Sequence, residues 1–276
     1  MPRPPHAAPK PRVSRRVLAC FRWYTRRYLR RAFHSVAIAR PGPEPPRDGP
    51  LVVYLNHASW WDPLVAMRLA EVVAPDRTLY APFDAEALQR YPVFEKLGFF
   101  PVQQGTRRGA AQFLSVAREV LEEPRASLWV TPEGGFVDPR DRAARLEPGL
   151  AHLADRLAAE GRDAWLWPLA IEYPFWEERL PEALCQFGEP IAVSSFEGLG
   201  KAGWNTLLAD RLRDTQRALE ARSLRRNPSE WRVVLGGAEG VGGVYESVRW
   251  LKAKLTGRSY RAAHGEKLSR GPTTTN

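Results

Sequence analysis

Residues 51–63 read Leu-Val-Val-Tyr-Leu-Asn-His-Ala-Ser-Trp-Trp-Asp-Pro. The first five are continuously apolar, which is typical of a short strand buried on both faces of a sheet. His57 follows this strand closely, and Asp62 comes five positions later, next to Pro63, a residue that the first turn of a helix tolerates. The segment therefore predicts an imidazole at the end of a strand and a carboxylate at the start of a helix.

The spacing of His57 and Asp62 limits how they can meet. Five positions on an α-helix lie roughly 140° apart around its axis, so the two side chains meet only if His57 lies outside the helix. Ser59 is a good N-cap residue, which would leave His57 in the preceding turn. An imidazole there can take a proton from a hydroxyl while the carboxylate stabilises the cation. The alternative is a capping-box variant of Ser59 and Asp62, with His57 as a polar turn residue.

Strand-like and helix-like segments alternate along the chain. The predicted strands are Leu51–Leu55, Thr78–Ala81, Phe99–Val102, Leu128–Thr131, Trp165–Ile171 and Leu184–Phe187. The predicted helices are Pro63–Val73, Ala85–Arg90, Arg107–Leu121, Gly149–Glu160 and a longer polar one, Trp204–Ser223, expected to pack across the domain. The alternation predicts an α/β fold, with a mixed, largely parallel central sheet flanked by helices. Polar residues at the carboxyl ends of its strands would then form the site.

Three further blocks follow the His57 segment in order. They are Gly98–Val102, Thr131–Gly135 and Trp167–Ile171. Together with the pair His57 and Asp62, they resemble the four motifs of the glycerolipid acyltransferases, the lysophosphatidic acid acyltransferase family, whose first motif is His-x-x-x-x-Asp. The order and spacing of the blocks, from about residue 51 to 175, carry the resemblance better than any single block.

The resemblance implies both a reaction and a site. His57 would be the general base on an acceptor hydroxyl, Asp62 would orient its ring, and the oxygen would attack the thioester of acyl-CoA or acyl carrier protein. Glu133, Gly134 and Asn56 would help to bind the acceptor. Neither a cofactor nor a metal is expected, and no acyl-enzyme is implied; consistently, the sequence has no Gly-x-Ser-x-Gly nucleophile motif.

Two arginines of the family pattern are replaced in this chain. Gln103 or Gln104 stands where the second block usually ends in Arg, and Gly135-Phe136 replaces the usual Thr-Arg of the third. Arginines that could supply the lost charge are Arg107, Arg108, Arg140 and Arg142, of which we predict the first three to be acceptor-binding. The alternative is that they are solvated surface. A lysophospholipid is the expected acceptor, and a hydroxyl of a non-phosphate lipid or glycolipid is the alternative.

The formal net charge of +10 is concentrated near the beginning of the chain, where Arg12–Arg40 contains nine arginines and no acidic residue. An apolar stripe recurs there at helical spacing: Val13, Val17, Phe21, Tyr24, Tyr28, Ala32 and Val36. We predict an amphipathic helix over 12–40 that lies on an anionic membrane surface. The alternative is a basic helix whose stripe covers the protein core. A Pro-rich linker, 41–50, would join it to an acyltransferase domain over 51–230.

The ends of the chain carry weaker signals. Residues 1–11 are Pro-rich and expected to be disordered, 231–258 is predicted to be a Gly-rich connector with a second basic amphipathic helix, and 259–276 a polar tail. No apolar run reaches the ~20 residues that span a bilayer. We therefore expect a peripheral protein on the cytoplasmic face of a membrane.

Two other classes of protein fit parts of the sequence. A pI near 10 is compatible with a nucleic-acid binder, but the chain has no recognised nucleic-acid motif, so we expect no nucleic-acid partner. A membrane-lipid binding protein that keeps the fold but lacks catalysis would account for the two replaced arginines. It would not account for the presence of His57, Asp62 and Glu133 together.

Overall fold

A computed structural model describes residues Lys10–Gly237 of the 276-residue chain. Within this range the strands are β1 (Ser35–Ala39), β2 (Leu51–Leu55), β3 (Thr78–Asp84), β4 (Phe99–Val102), β5 (Ala126–Val130), β6 (Trp165–Glu172), β7 (Glu182–Phe187), β8 (Ile191–Ala192) and β9 (Trp231–Gly236). The α-helices are α1 (Arg15–Ala32), α2 (Asp62–Val73), α3 (Ala85–Arg90), α4 (Arg107–Leu121), α5 (Gly149–Ala159) and α6 (Gly200–Arg225). Short 3-10 helices occupy Pro92–Leu97, Val193–Phe196 and Pro228–Glu230.

The strands form one mixed sheet in the order β4-β3-β5-β2-β6-β7-β1-β9, with β8 added beside β6. The run from β4 to β6 is parallel, and so is the pair of β1 with β7, whereas β7 and β8 are antiparallel to β6 and β9 is antiparallel to β1. Because β2 lies between β5 and β6 and parallel to both, their carboxyl ends meet at one edge. That edge carries the candidate site.

Strand β2 is buried on both faces because helices cover the sheet on each side. Leu51, Val53 and Leu55 pack into one apolar cluster with residues of α1, α2 and α3. Val52 and Tyr54 alternate with them and pack into a second cluster with α4, α5 and α6. The continuous apolar run of this strand is thus explained by its two covered faces.

The predicted α/β class is confirmed, and the elements of the predicted catalytic domain agree closely with the structure. α3, α4, β2 and β4 have the predicted bounds, and the remaining predicted elements differ by a few residues at their ends. The polar helix predicted near Trp204–Ser223 is α6, which packs against α5, β6 and β7 as expected.

The predicted helix over 12–40 is wrong at its carboxyl end. Helix α1 stops at Ala32, Phe33 is extended, and the apolar residues that follow form β1, which joins the sheet between β7 and β9. The segment 41–50 therefore connects two strands of the sheet. Trp231–Gly236, predicted to be connector, is β9 for the same reason: its backbone completes the ladder beside β1. The second predicted amphipathic helix, most of the Gly-rich connector, the tail and residues 1–9 lie outside the described residues.

Most of the predicted apolar stripe of α1 covers the protein core. Val17, Phe21 and Ala32 pack against the first cluster, and the ring of Tyr28 lies 5.2 Å from that of Trp61. The opposite side of the helix exposes arginines together with Trp23, while Tyr24, at the edge of the stripe, is half-exposed. The core-covering alternative is therefore confirmed for this stripe. Within the described residues no helix combines the length and the apolar character needed to cross a bilayer.

Candidate active site

His57 lies in the turn between β2 and α2, in contact with Asp62. Its Nδ1 is 2.7 Å from Asp62 Oδ2, and the backbone N–H of Ser59 donates to the same oxygen at 2.9 Å. The predicted N-cap role of Ser59 is wrong, because α2 begins at Asp62 itself, after a tight turn in which the Asp62 N–H donates to the Ser59 carbonyl. His57 lies outside the helix, as the spacing requires.

The pair has the geometry of a base and its orienting carboxylate. Asp62 is 1% exposed, while the side chain of His57 keeps 19% of its surface exposed. A carboxylate bonded to Nδ1 favours the tautomer with the proton on that nitrogen, which leaves the lone pair on Nε2. Among Lys10–Gly237 no residue hydrogen-bonds to Nε2. The ring can therefore accept a proton from a bound molecule.

Glu133 holds the backbone of His57 from the loop after β5. Its Oε2 accepts the His57 N–H at 2.7 Å, and the N–H of Val137 in the same loop donates to the His57 carbonyl at 2.8 Å. Both backbone groups of His57 are thus bonded to one loop, 131–148. The side chain of Glu133 is 1% exposed, so these bonds are largely shielded from water.

Gly134 allows this loop to turn tightly. It has a φ of +70°, and an added Cβ would lie 2.8 Å from Cγ of Glu147. The loop closes at its base where the Glu147 N–H donates to the Pro132 carbonyl at 2.6 Å. A side chain at position 134 would disturb both the backbone conformation and the position of Glu133.

Residues 37–172 match the protein-family model described as Acyltransferase. This segment is an acyltransferase domain. The matched segment runs from β1 through β6 and contains His57, Asp62 and Glu133. α1, β7, α6 and β9 lie outside it and complete the fold of this acyltransferase.

No curated protein sequence matches the chain. The crystal structure of the 1-acyl-sn-glycerophosphate (LPA) acyltransferase PlsC from Thermotoga maritima is similar at 14% sequence identity, with a TM-score of 0.48, and the match covers 76% of this chain and 80% of that one.

Asn56 links two strands of the acyltransferase beneath the site. Its Nδ2 donates to the Ile171 carbonyl at 3.1 Å, and its Oδ1 accepts the Ile171 N–H at 2.8 Å. The residue is 1% exposed. These bonds join the end of β2 to the end of β6. They thereby fix the position of the residue that directly precedes His57. The acceptor-binding roles of Asn56, Glu133 and Gly134 stay predictions.

The arginines predicted to bind the acceptor occupy two different environments. Arg140 donates from Nε and Nη2 to Asp138, at 2.9 and 2.6 Å, and this pairing holds the pKa of Asp138 well below its usual range. Arg107 and Arg108 are exposed at the start of α4, beyond the outer strand β4, and no carboxylate pairs with them in the described part of the chain. The structure groups none of the three with His57 through a hydrogen bond.

Arg213 of α6 is a site residue that the sequence analysis missed. Its Nη1 donates to Oε1 of Glu133 at 3.2 Å and to Gln216 at 3.0 Å, and its Nη2 donates to the Ala144 carbonyl. The arginine side chain is 7% exposed. It therefore fixes both halves of loop 131–148 to α6. Because α6 contains many arginines, nothing in the sequence distinguishes the buried one.

Two aromatic residues beside the pair were also missed as site residues. The ring of Phe136 lies 4.4 Å from that of His57 and is 65% exposed, so it covers one side of the imidazole. The hydroxyl of Tyr173 donates to Oδ1 of Asp62 at 2.6 Å. Tyr173 directly follows β6, so the rule that sites lie at the carboxyl ends of parallel strands could have identified it. From Lys10 to Gly237 no group of three or more His, Cys, Asp or Glu side chains could hold a metal ion.

Proposed function

We propose that this acyltransferase transfers a fatty acyl group from acyl-CoA or acyl carrier protein to a hydroxyl of a lysophospholipid, by general-base catalysis at a membrane surface. The observation that supports it best is the 2.7 Å contact of His57 Nδ1 with the buried Asp62. The other ring nitrogen, Nε2, is hydrogen-bonded to no described residue. The family match supports the reaction type.

The proton transfers of this mechanism are assigned to His57, and two carboxylates hold His57 in place. Nε2 of His57 takes the proton of the acceptor hydroxyl as its oxygen attacks the thioester carbonyl carbon. The C–S bond then breaks, and the leaving thiolate takes the proton from the imidazolium. Asp62 stabilises that cation and keeps the ring aligned, and Glu133 holds the His57 backbone. The products are the ester and a free thiol, so no further reactant is needed.

A bilayer surface as the source of the acceptor is supported by the outer side of α1. Exposed arginines lie there beside Trp23 and Tyr24, without an acidic residue in the helix. The ring of Tyr24 stacks on that of Tyr28 at 5.6 Å, and Tyr28 lies 6.2 Å from the half-exposed Trp60, three residues after His57. Arginines and aromatic rings of this kind favour an anionic interface. In this proposal the protein is peripheral, on the cytoplasmic face.

A non-phosphate lipid or glycolipid acceptor is the second candidate. It is favoured by Phe136, whose ring lies against His57, and by the carboxylates that already pair with two nearby arginines, Arg140 with Asp138 and Arg142 with Glu220. Of the four arginines considered for an acceptor phosphate, this leaves Arg107 and Arg108 without a carboxylate partner in the described part of the chain.

The test is thioester consumption by the purified chain and its His57→Ala variant. Radiolabelled palmitoyl-CoA or palmitoyl-carrier protein is supplied with lysophosphatidic acid, other lysolipids or a total lipid extract, and the labelled product is identified. We expect His57→Ala to lower transfer by ~10²–10⁴-fold, since it removes the general base. Its melting temperature and liposome binding should change little.

The identity of the product separates the candidates. A labelled phospholipid made from lysophosphatidic acid supports the first acceptor, and a labelled glycolipid or neutral lipid supports the second. Transfer that is equal in the His57→Ala variant contradicts the mechanism. Liposome binding without turnover on any acceptor supports a non-catalytic lipid-binding protein, and salt-sensitive binding to DNA in place of liposomes contradicts the membrane proposal.

A further inference from the structure

The Asp62 carboxylate is bonded on both of its oxygens. Oδ2 faces His57 Nδ1 at 2.7 Å and accepts the Ser59 N–H at 2.9 Å, while Oδ1 accepts the Tyr173 hydroxyl at 2.6 Å. The bond to Ser59 is local to the turn. The bond to Tyr173 instead comes from the end of β6, more than a hundred residues along the chain.

Tyr173 is held firmly enough to act as a fixed donor. Its ring packs against the core cluster, 5.5 Å from the ring of Phe33. Burial, and then the neighbouring Asp62 carboxylate, raise the pKa of Tyr173 well above its usual range. The hydroxyl therefore keeps its proton, and toward a carboxylate it can only donate.

The sheet determines where this donor lies. Leu55 of β2 pairs with Leu169 of β6, and the side chain of Asn56 bonds to both backbone groups of Ile171, two residues before the tyrosine. The distance between the start of α2 and Tyr173 is thereby set by strand register and by a pair of buried hydrogen bonds.

We propose that Tyr173 is a positioning residue for acyl transfer, whose hydroxyl fixes the rotation of the Asp62 carboxylate so that Oδ2 faces His57. A carboxylate turns about its Cβ–Cγ bond, and the Ser59 N–H alone holds only one of its oxygens. Without the second bond the carboxylate samples orientations in which it no longer holds the imidazole ring of His57 in place. A general base acts efficiently only when its ring is held in a fixed orientation toward the hydroxyl that it deprotonates. The inference rests on the proposed function, because it assigns Tyr173 to the same His57–Asp62 pair.

The test compares Tyr173→Phe with Tyr54→Phe. Each variant removes one tyrosine hydroxyl, and the Tyr54 hydroxyl has no hydrogen-bond partner within the described residues. With palmitoyl-CoA and a total lipid extract, we expect Tyr173→Phe to lower kcat about tenfold, the cost of one hydrogen bond to a charged group. KM for palmitoyl-CoA should stay within about twofold, because thioester binding is untouched. Tyr54→Phe should keep wild-type kcat.

A double-variant cycle tests whether Tyr173 acts through Asp62. In an Asp62→Asn background, Tyr173→Phe should have almost no further effect on kcat, since the oriented carboxylate is already gone. An equal tenfold loss in that background would show that Tyr173 acts elsewhere and overturn the inference, as would a wild-type kcat for Tyr173→Phe.

Failure of the inference is distinguishable from failure of the proposed function. If His57→Ala is inactive and Tyr173→Phe is fully active, only the role of Tyr173 is lost. If His57→Ala transfers as fast as the wild type, the mechanism fails and the positioning role fails with it.

Discussion

The charged groups of the candidate site and those of α1 differ in where their partners lie. At the site, Asp62 and Glu133 are buried and bonded to His57, Ser59, Tyr173 and Arg213. Along α1, seven arginines share one helix without an acidic residue, and a carboxylate from another element, Glu71, pairs with Arg22. The charged groups of the site therefore hold other parts of the protein in place, whereas the exposed arginines of α1 are available to bind an external surface such as a membrane.

Removing Arg213 should produce the largest effect on stability. Arg213→Met leaves the Glu133 carboxylate buried without its cation, and breaking such a pair costs about 3–5 kcal/mol of unfolding free energy. Arg217→Met is the matched control on the same helix, because Arg217 pairs with Asp214 at the surface and should cost less than about 1 kcal/mol. Urea unfolding measures both, and equal losses would contradict the assigned role of the buried pair.

The arginines of α1 should affect binding and leave folding almost unchanged. Replacing the exposed Arg27 and Arg30 by Gln should weaken affinity for phosphatidylserine-containing vesicles about 30-fold, since each basic residue near such a surface contributes about 1 kcal/mol. Vesicle sedimentation at fixed salt measures this. The charge-matched control replaces Arg47 and Arg217, which lie outside α1. If both double variants weaken binding equally, the effect reflects net charge and α1 is not the contact.

The smallest effect is expected at Glu172, the last residue of β6, whose carboxylate lacks the hydrogen bonds that Asp62 has on both oxygens. Burial raises its pKa to about 7, an effect that Arg142 opposes and Glu220 reinforces. A carboxyl whose pKa is raised on folding stabilises the fold below its unfolded value of 4.5, and this stability is lost as the pH rises through about 7.

Glu172→Gln should therefore raise the melting temperature at pH 8 by about 2–4 °C, and the difference should shrink toward pH 5. Thermal unfolding followed by circular dichroism across this range is the measurement. The exposed Glu122→Gln variant should show no such trend. A gain for Glu172→Gln that is the same at pH 8 and pH 5 would mean that ionisation is not its cause.

Local sequence was sufficient wherever an element or a contact depends on neighbours along the chain. The bounds of β2, α3 and α4 follow from apolar pattern and turn residues, and the contact of His57 with Asp62 follows from their spacing once the histidine is placed before the helix. The extent of α1 was misjudged because the apolar residues after Ala32 continue a helical pattern, while their pairing with β7 and β9 is a long-range event.

The sequence by itself determined the α/β class, the parallel centre of the sheet and the contact of His57 with Asp62, because these depend on periodicity and short spacings. Only the tertiary structure decided that Tyr173 bonds to Asp62, that Arg213 bonds to Glu133, and that the apolar side of α1 covers the core. Each of these contacts joins elements far apart in the chain. Strand register and helix packing create them, and neither leaves a local signal in the residues that take part.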